Sequence, residues 1–141
     1  MHYLLPSLLL LPICHYVADF ELQTNCMSLG KSKSIKWLSI HVGIYAACFT
    51  VVFGPVFGII TFVTHFLTDY VTSRWTTKLW FLPLKPLQET PWIQGYGVQV
   101  YWTYERETRH RFFCVIGLDQ MIHAYTLIFT VFYLDARPWF L

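Results

Sequence analysis

Three histidine and aspartate pairs in this chain stand four residues apart: His15 with Asp19, His65 with Asp69, and Asp119 with His123. A further histidine, His41, lies between the first two pairs. On a helix, positions i and i+4 share a face one turn apart, so each pair can present a nitrogen and a carboxylate to one point. Helical metal sites are built in this way. Seven ligands exceed the four of a closed zinc site, or the three of a catalytic site that keeps a position for water, so the expectation is one or two ions. Two ions about 3.5 to 4 Å apart, bridged by Asp19, Asp69 or Asp119, can activate water and clamp the attacking and leaving oxygens of a phosphoester. Asp69 and Asp119 are the expected catalytic carboxylates. The donor set suits zinc, manganese or iron better than magnesium or copper(I). Gln23, Gln120, Thr64, Thr68 and Lys31 are candidates to support the ligands or to meet a substrate. His110, between Arg109 and Arg111, reads as a surface residue.

The elements that must position these groups are apolar. Of 141 residues, 55% are hydrophobic and 13% charged, against roughly 25% charged in soluble proteins. Apolar windows run over about 3–20, 37–53, 55–71 and 112–134, each near the ~17 to 25 residues of a spanning helix. The expected fold is therefore an all-α, polytopic membrane protein with four spans in one domain. Met1 to Leu11 lacks the basic start of a signal peptide, and Asp19, Glu21 and Gln23 stand where its small-residue cleavage site would fall. It is taken as the first helix.

Lys31, Lys33 and Lys36 lie between the first two spans, and Arg74, Lys78, Lys85, Arg106, Arg109 and Arg111 lie between the last two. Nine of the ten basic residues thus share one side, which the positive-inside rule makes cytoplasmic, with both termini outside. Topology accounts for these charges, so no nucleic-acid partner is expected. By this topology all seven candidate ligands fall in the cytoplasmic part of the membrane. Charge placed the helices and His/Asp spacing chose the ligands, so the agreement in depth comes from two separate counts. The outer helix halves, such as Leu4 to Leu11 and Leu127 to Leu134, carry almost no ionisable groups, which argues against an ion or proton path.

Residues 73–110 mix Trp75, Trp80, Trp92, Tyr96, Tyr101, Trp102 and Tyr104 with Pro83, Pro86 and Pro91. They read as an irregular aromatic loop at the cytoplasmic interface, a lid or an anchor, with a short strand at Val98 to Tyr104. Cys14, Cys26, Cys48 and Cys114 lack metal-ligand spacing and read as free, buried thiols. Gly43, Gly54 and Gly58 can bring helices close, within one chain or in a homo-oligomer. The run from His15 to Phe20 is echoed from His65 to Tyr70, as a duplicated helix hairpin would give. Trp37 stands where a counterpart of Asp119 would fall.

The ordered set His15, Asp19, Phe20 and Gln23, Lys31 and Lys33, His41, the HFLTDY run from His65 to Tyr70, and Asp119, Gln120 and His123 resembles a family of small bacterial and phage membrane proteins, domain of unknown function 3307. That resemblance implies a helical membrane protein and assigns no chemistry. More distantly, the pattern is similar to membrane-bound metal-dependent hydrolases and to the helical zinc phospholipase C and zinc nuclease group, whose HxxxD pairs bind zinc clusters. The chain departs from the latter in having no recognisable N-terminal residue for a third metal. Two functions remain open: a hydrolase acting on a phosphoester of membrane lipid, or a non-catalytic membrane factor, such as a phage-encoded envelope-modifying protein, with a structural metal or polar core.

Overall fold

The computed structural model describes residues 4–80 and 97–138, with side chains for 4–79 and 110–138. Helix α1, Leu4–Tyr16, runs directly into a wider π-helical turn, Val17–Glu21, closed by the Leu22 N–H donating to the Val17 carbonyl at 3.0 Å. A short helix α2, Asn25–Gly30, follows, its first turn capped by the Thr24 hydroxyl, which accepts from the Met27 N–H. Three longer helices complete the fold: α3, Ile35–Phe53; α4, Pro55–Trp80; and α5, Gly97–Leu134.

The turn between α3 and α4 is written in three residues. Helix α3 ends at Phe53, Gly54 takes φ +95°, and Pro55 opens α4. Glycine enters that left-handed region without a Cβ clash, and proline suits a first helical position, where its missing N–H would have had no partner. Helices α3 and α4 therefore run antiparallel side by side.

Four segments are long and apolar enough to cross a membrane: Leu4–Glu21, Ile35–Phe53, Pro55–Leu79 and His110–Leu134. Burial is inverted relative to a water-soluble protein. Leu5, Leu9, Ile59, Phe129 and Tyr133 are exposed, whereas Asp19, His41, His65, Asp69 and His123 are buried. In a bilayer the outer face needs only to match lipid, and ionisable groups turn inward. The chain is a multi-pass, all-α membrane protein by length and composition.

The helices extend further than the sequence pattern indicated. Ser73–Trp80 continues α4, and Gly97–His110 forms the start of α5 instead of irregular chain. Neither stretch contains proline, so nothing ends the helix. The alternation at Val98 to Tyr104 imitates a strand, but a helix satisfies its own backbone where no strand partner exists among the described residues. The three prolines lie within 81–96, the middle of the expected aromatic loop, which falls outside the described residues, while both flanks of that loop are helical. At 38 residues, α5 is about 57 Å long at 1.5 Å per residue, well beyond a hydrocarbon core of about 30 Å.

Packing within the bundle separates an apolar end from a polar one. Tyr45, Phe49, Phe53 and Phe57 join Leu11, Leu127 and Val131 in one buried cluster. Phe49 and Phe53 each stack on Phe57, with centroids 5.7 and 4.8 Å apart. The glycines divide by role. A Cβ on Gly58 would collide with the Thr50 side chain and press on the Ala46 carbonyl of α3, while one on Gly43 would meet nothing. The four cysteines are free, as expected, but Cys26 and Cys114 are exposed where burial was expected. Both lie outside the packed seam. Gly58→Val is expected to destabilise the protein by about 1–3 kcal/mol through overpacking, seen as a lower unfolding midpoint in detergent, whereas Gly43→Ala should leave it unchanged or raise it.

Candidate metal centre

Helix α3 supplies His41, α4 supplies His65 and Asp69, α5 supplies Asp119 and His123, and the π turn after α1 supplies Asp19. Their polar atoms converge between the four spans. His41 Nε2 lies 3.1 Å from Asp19 Oδ1, 3.2 Å from His65 Nε2 and 3.3 Å from Asp69 Oδ2. His65 Nε2 lies 3.7 Å from Asp19 Oδ1 and 3.6 Å from Asp69 Oδ2. On the other side of Asp69, Oδ1 is 3.2 Å from His123 Nε2, which is 3.4 Å from Asp119 Oδ1. Two buried groups emerge that could each hold an ion, Asp19 with His41 and His65, and His65 with Asp69 and His123. They share His65, and the two oxygens of Asp69 face different neighbours.

These separations fit metal ligands. Three ligands placed tetrahedrally at roughly 2.0–2.1 Å from zinc lie about 3.3 Å apart, and the triangle Asp19, His41, His65 has edges of 3.1, 3.2 and 3.7 Å. Hydrogen bonding alone leaves this arrangement short of protons. A neutral imidazole carries one N–H, yet His41 Nε2 faces another ring nitrogen and two carboxylate oxygens at once. Asp19 Oδ1 accepts no well-formed hydrogen bond among the described residues despite its burial. Such convergent lone pairs are what a cation satisfies.

His15 behaves differently. It lies outside both groups, with Nδ1 2.7 Å from the Tyr45 hydroxyl and Nε2 2.8 Å from Gln120 Oε1. The π turn supplies the reason: it widens the helix after Tyr16, so His15 and Asp19 do not stack one above the other as an i, i+4 pair in a regular helix does. The pairs on α4 and α5, in regular helix, keep their alignment.

A fixed chain of hydrogen bonds surrounds the ligands. The Gln120 amide nitrogen donates at 3.1 Å to Asp19 Oδ2 and to Asp119 Oδ2, which leaves its carbonyl oxygen to accept from His15 Nε2–H. His15 Nδ1 then accepts from Tyr45. The Tyr45 ring also stacks on His65 at 3.8 Å, and His65 stacks on His123 at 4.0 Å. Thr72 donates to Asp119 Oδ1. Tyr45 and Thr72 were missed from the sequence, although Tyr45 follows His41 by four residues and Thr72 follows Asp69 by three. Thr64 and Thr68, proposed as supports, donate instead to the carbonyls of Ile60 and Thr64. Gln23 lies beside the cluster with Oε1 unpartnered among the described residues. His110 is exposed and contacts Cys114 at 3.5 Å.

Lys31 closes the set, with Nζ 2.9 Å from Asp69 Oδ2. It follows the last turn of α2, beyond the spanning segments. Burial opposes its charge, but Asp69 and Asp19 outweigh burial and hold its pKa above the ordinary lysine value. It is an ammonium at neutral pH. Above the carboxylates a cavity of about 540 Å³ opens, with Asp19, Asp69 and Asp119 at its floor and Lys31 and Lys33 beside them. The opposite side of the cluster is sealed by Tyr45, Phe49 and Phe57, all buried to 1% exposure or less.

No protein-family model, curated protein or solved structure matches the chain. Elemental mass spectrometry of protein purified without chelators should find transition metal that His41→Ala or His65→Ala removes and His110→Ala retains. Gln120→Leu should weaken metal affinity by about 10- to 100-fold while the protein stays folded.

Proposed function

We propose that this chain is a metal-dependent phosphoester hydrolase of the bacterial inner membrane, with its site at the cytoplasmic headgroup level. The observation that carries the reading is the pair of ligand groups sharing His65 directly beneath a cavity floored by Asp19, Asp69 and Asp119. A closed structural site has no use for such an opening. Lys31 and Lys33 beside the cavity, with Lys36 nearby in the sequence, support this orientation, since basic residues favour the cytoplasmic side.

The bound ions, zinc in the first instance, would polarise a phosphoryl oxygen and lower the pKa of water at the site. The chain's own groups set the conditions. Asp69 presents its two oxygens toward the two groups and is held by Lys31 and His123. Asp119 is fixed by Thr72 and Gln120, so its remaining lone pairs have one direction open to them. Gln120 ties Asp19 to Asp119 and keeps the two groups in register. The Phe49, Phe53 and Phe57 stack fills the far side with apolar rings, and the cavity opens on the other.

Hydrolysis of phosphatidic acid and of a chromogenic phosphodiester, assayed with added zinc or manganese, tests the proposal. Asp69→Asn should lower the rate on the order of 10²- to 10⁴-fold while the protein still accumulates in the membrane. Loss of folded protein together with metal would instead identify a structural staple.

A further inference from the structure

The cavity above the cluster has two chemically different walls. Helix α4 lines it with Thr72, Ser73, Thr76 and Thr77, and α5 lines it with Phe112, Phe113 and Ile116. The one Thr72 proton goes to Asp119 Oδ1, and Thr76 and Thr77 each donate to a carbonyl of their own helix. Ser73 does not: its hydroxyl is buried, 8% exposed for the residue, and has no partner among the described residues. A buried hydroxyl beside a cavity is left wanting a ligand atom.

Charge decides which ligand can enter. With the imidazoles neutral, the three carboxylates and two lysines of the cavity give −3 + 2 = −1. An anion is repelled. One divalent cation makes the same site +1, and two make it +3. Lys31 is now held by Asp69 Oδ2, the oxygen that also faces His41 and His65. A cation drawing on that oxygen weakens its hold on the ammonium and leaves Lys31 to turn toward the cavity.

We propose that this cavity binds a phosphate ester through Lys31 and Ser73, and that metal must bind first. The proposal rests on the metal reading above and adds the anion contacts and the order of binding. A lysine is a compact, mobile charge suited to a phosphate oxygen, and the serine hydroxyl supplies a second donor. The apolar wall of α5 offers a place for a hydrocarbon chain on the same ligand.

Isothermal titration of the full chain in detergent, with and without loaded zinc, tests this using inorganic phosphate and dodecyl phosphate as probes. Phosphate should bind the zinc-loaded protein alone. Lys31→Met should weaken it by about tenfold or more and Ser73→Ala by about threefold or more, both with zinc content unchanged, while Lys31→Arg keeps most of the affinity. Tighter binding of dodecyl phosphate points to a lipid phosphate, and equal binding to a soluble one. Wild-type affinity in zinc-loaded Lys31→Met overturns the proposal, as does loss of zinc from that variant or equal phosphate binding by zinc-free protein. A wild-type chain that takes up no zinc defeats the metal reading itself.

Discussion

Two buried carboxylates, Asp19 and Asp69, with the half-buried Asp119 beside them, need positive charge close by among these apolar helices, and the arrangement of this protein follows from that need. A single buried ionised carboxylate without a partner costs several kcal/mol even after the surroundings relax. Asp19, Asp69 and Asp119 lie within reach of one another's partners, yet the only ammonium bonded to them among the described residues is that of Lys31. The remaining compensation must come from protons on His41, His65 and His123 or from cations held between them. Ring nitrogens that face several acceptors at once favour cations.

That requirement explains why four spans meet where they do. Asp69 touches groups from the α2 end, α3 and α5, so α4 acts as the central post. The tight Gly54 and Pro55 turn lets α4 return beside α3, and the missing side chain at Gly58 lets the two backbones approach. Aromatic packing at one end and the polar cluster at the other give the bundle a direction. The polar end opens into the cavity lined by Asp19, Asp69 and Asp119, and the other end is packed with aromatic rings.

Much of the fold was legible in the sequence because a bilayer imposes simple rules. Spans of about twenty apolar residues and the Gly54 and Pro55 break were sufficient to anticipate four membrane-crossing helices. The pairs His65/Asp69 and Asp119/His123 were legible because an undisturbed α-helix aligns residues four apart. His15/Asp19 has the same spacing, but the π turn separates its members, and nothing in their identities announces a change of helical pitch. Tyr45 and Thr72 escaped notice because aromatic and hydroxyl residues abound in such helices, and only the packing shows which of them reach the cluster. The helices reach Trp80 and begin at Gly97 because the aromatic, polar stretches beside them contain no proline, and composition of that kind does not distinguish helix from loop.

We propose that cations are held where the two groups meet at His65 and Asp69. That placement is tested most directly by anomalous scattering at the zinc edge from crystals of the full chain grown with zinc. Bound cations would give anomalous density enclosed by Asp19, His41 and His65, and a second peak beside Asp69 and His123. Well-ordered side chains at these positions with no anomalous density between them would contradict it, and would leave a protonated histidine core in place of a metal centre.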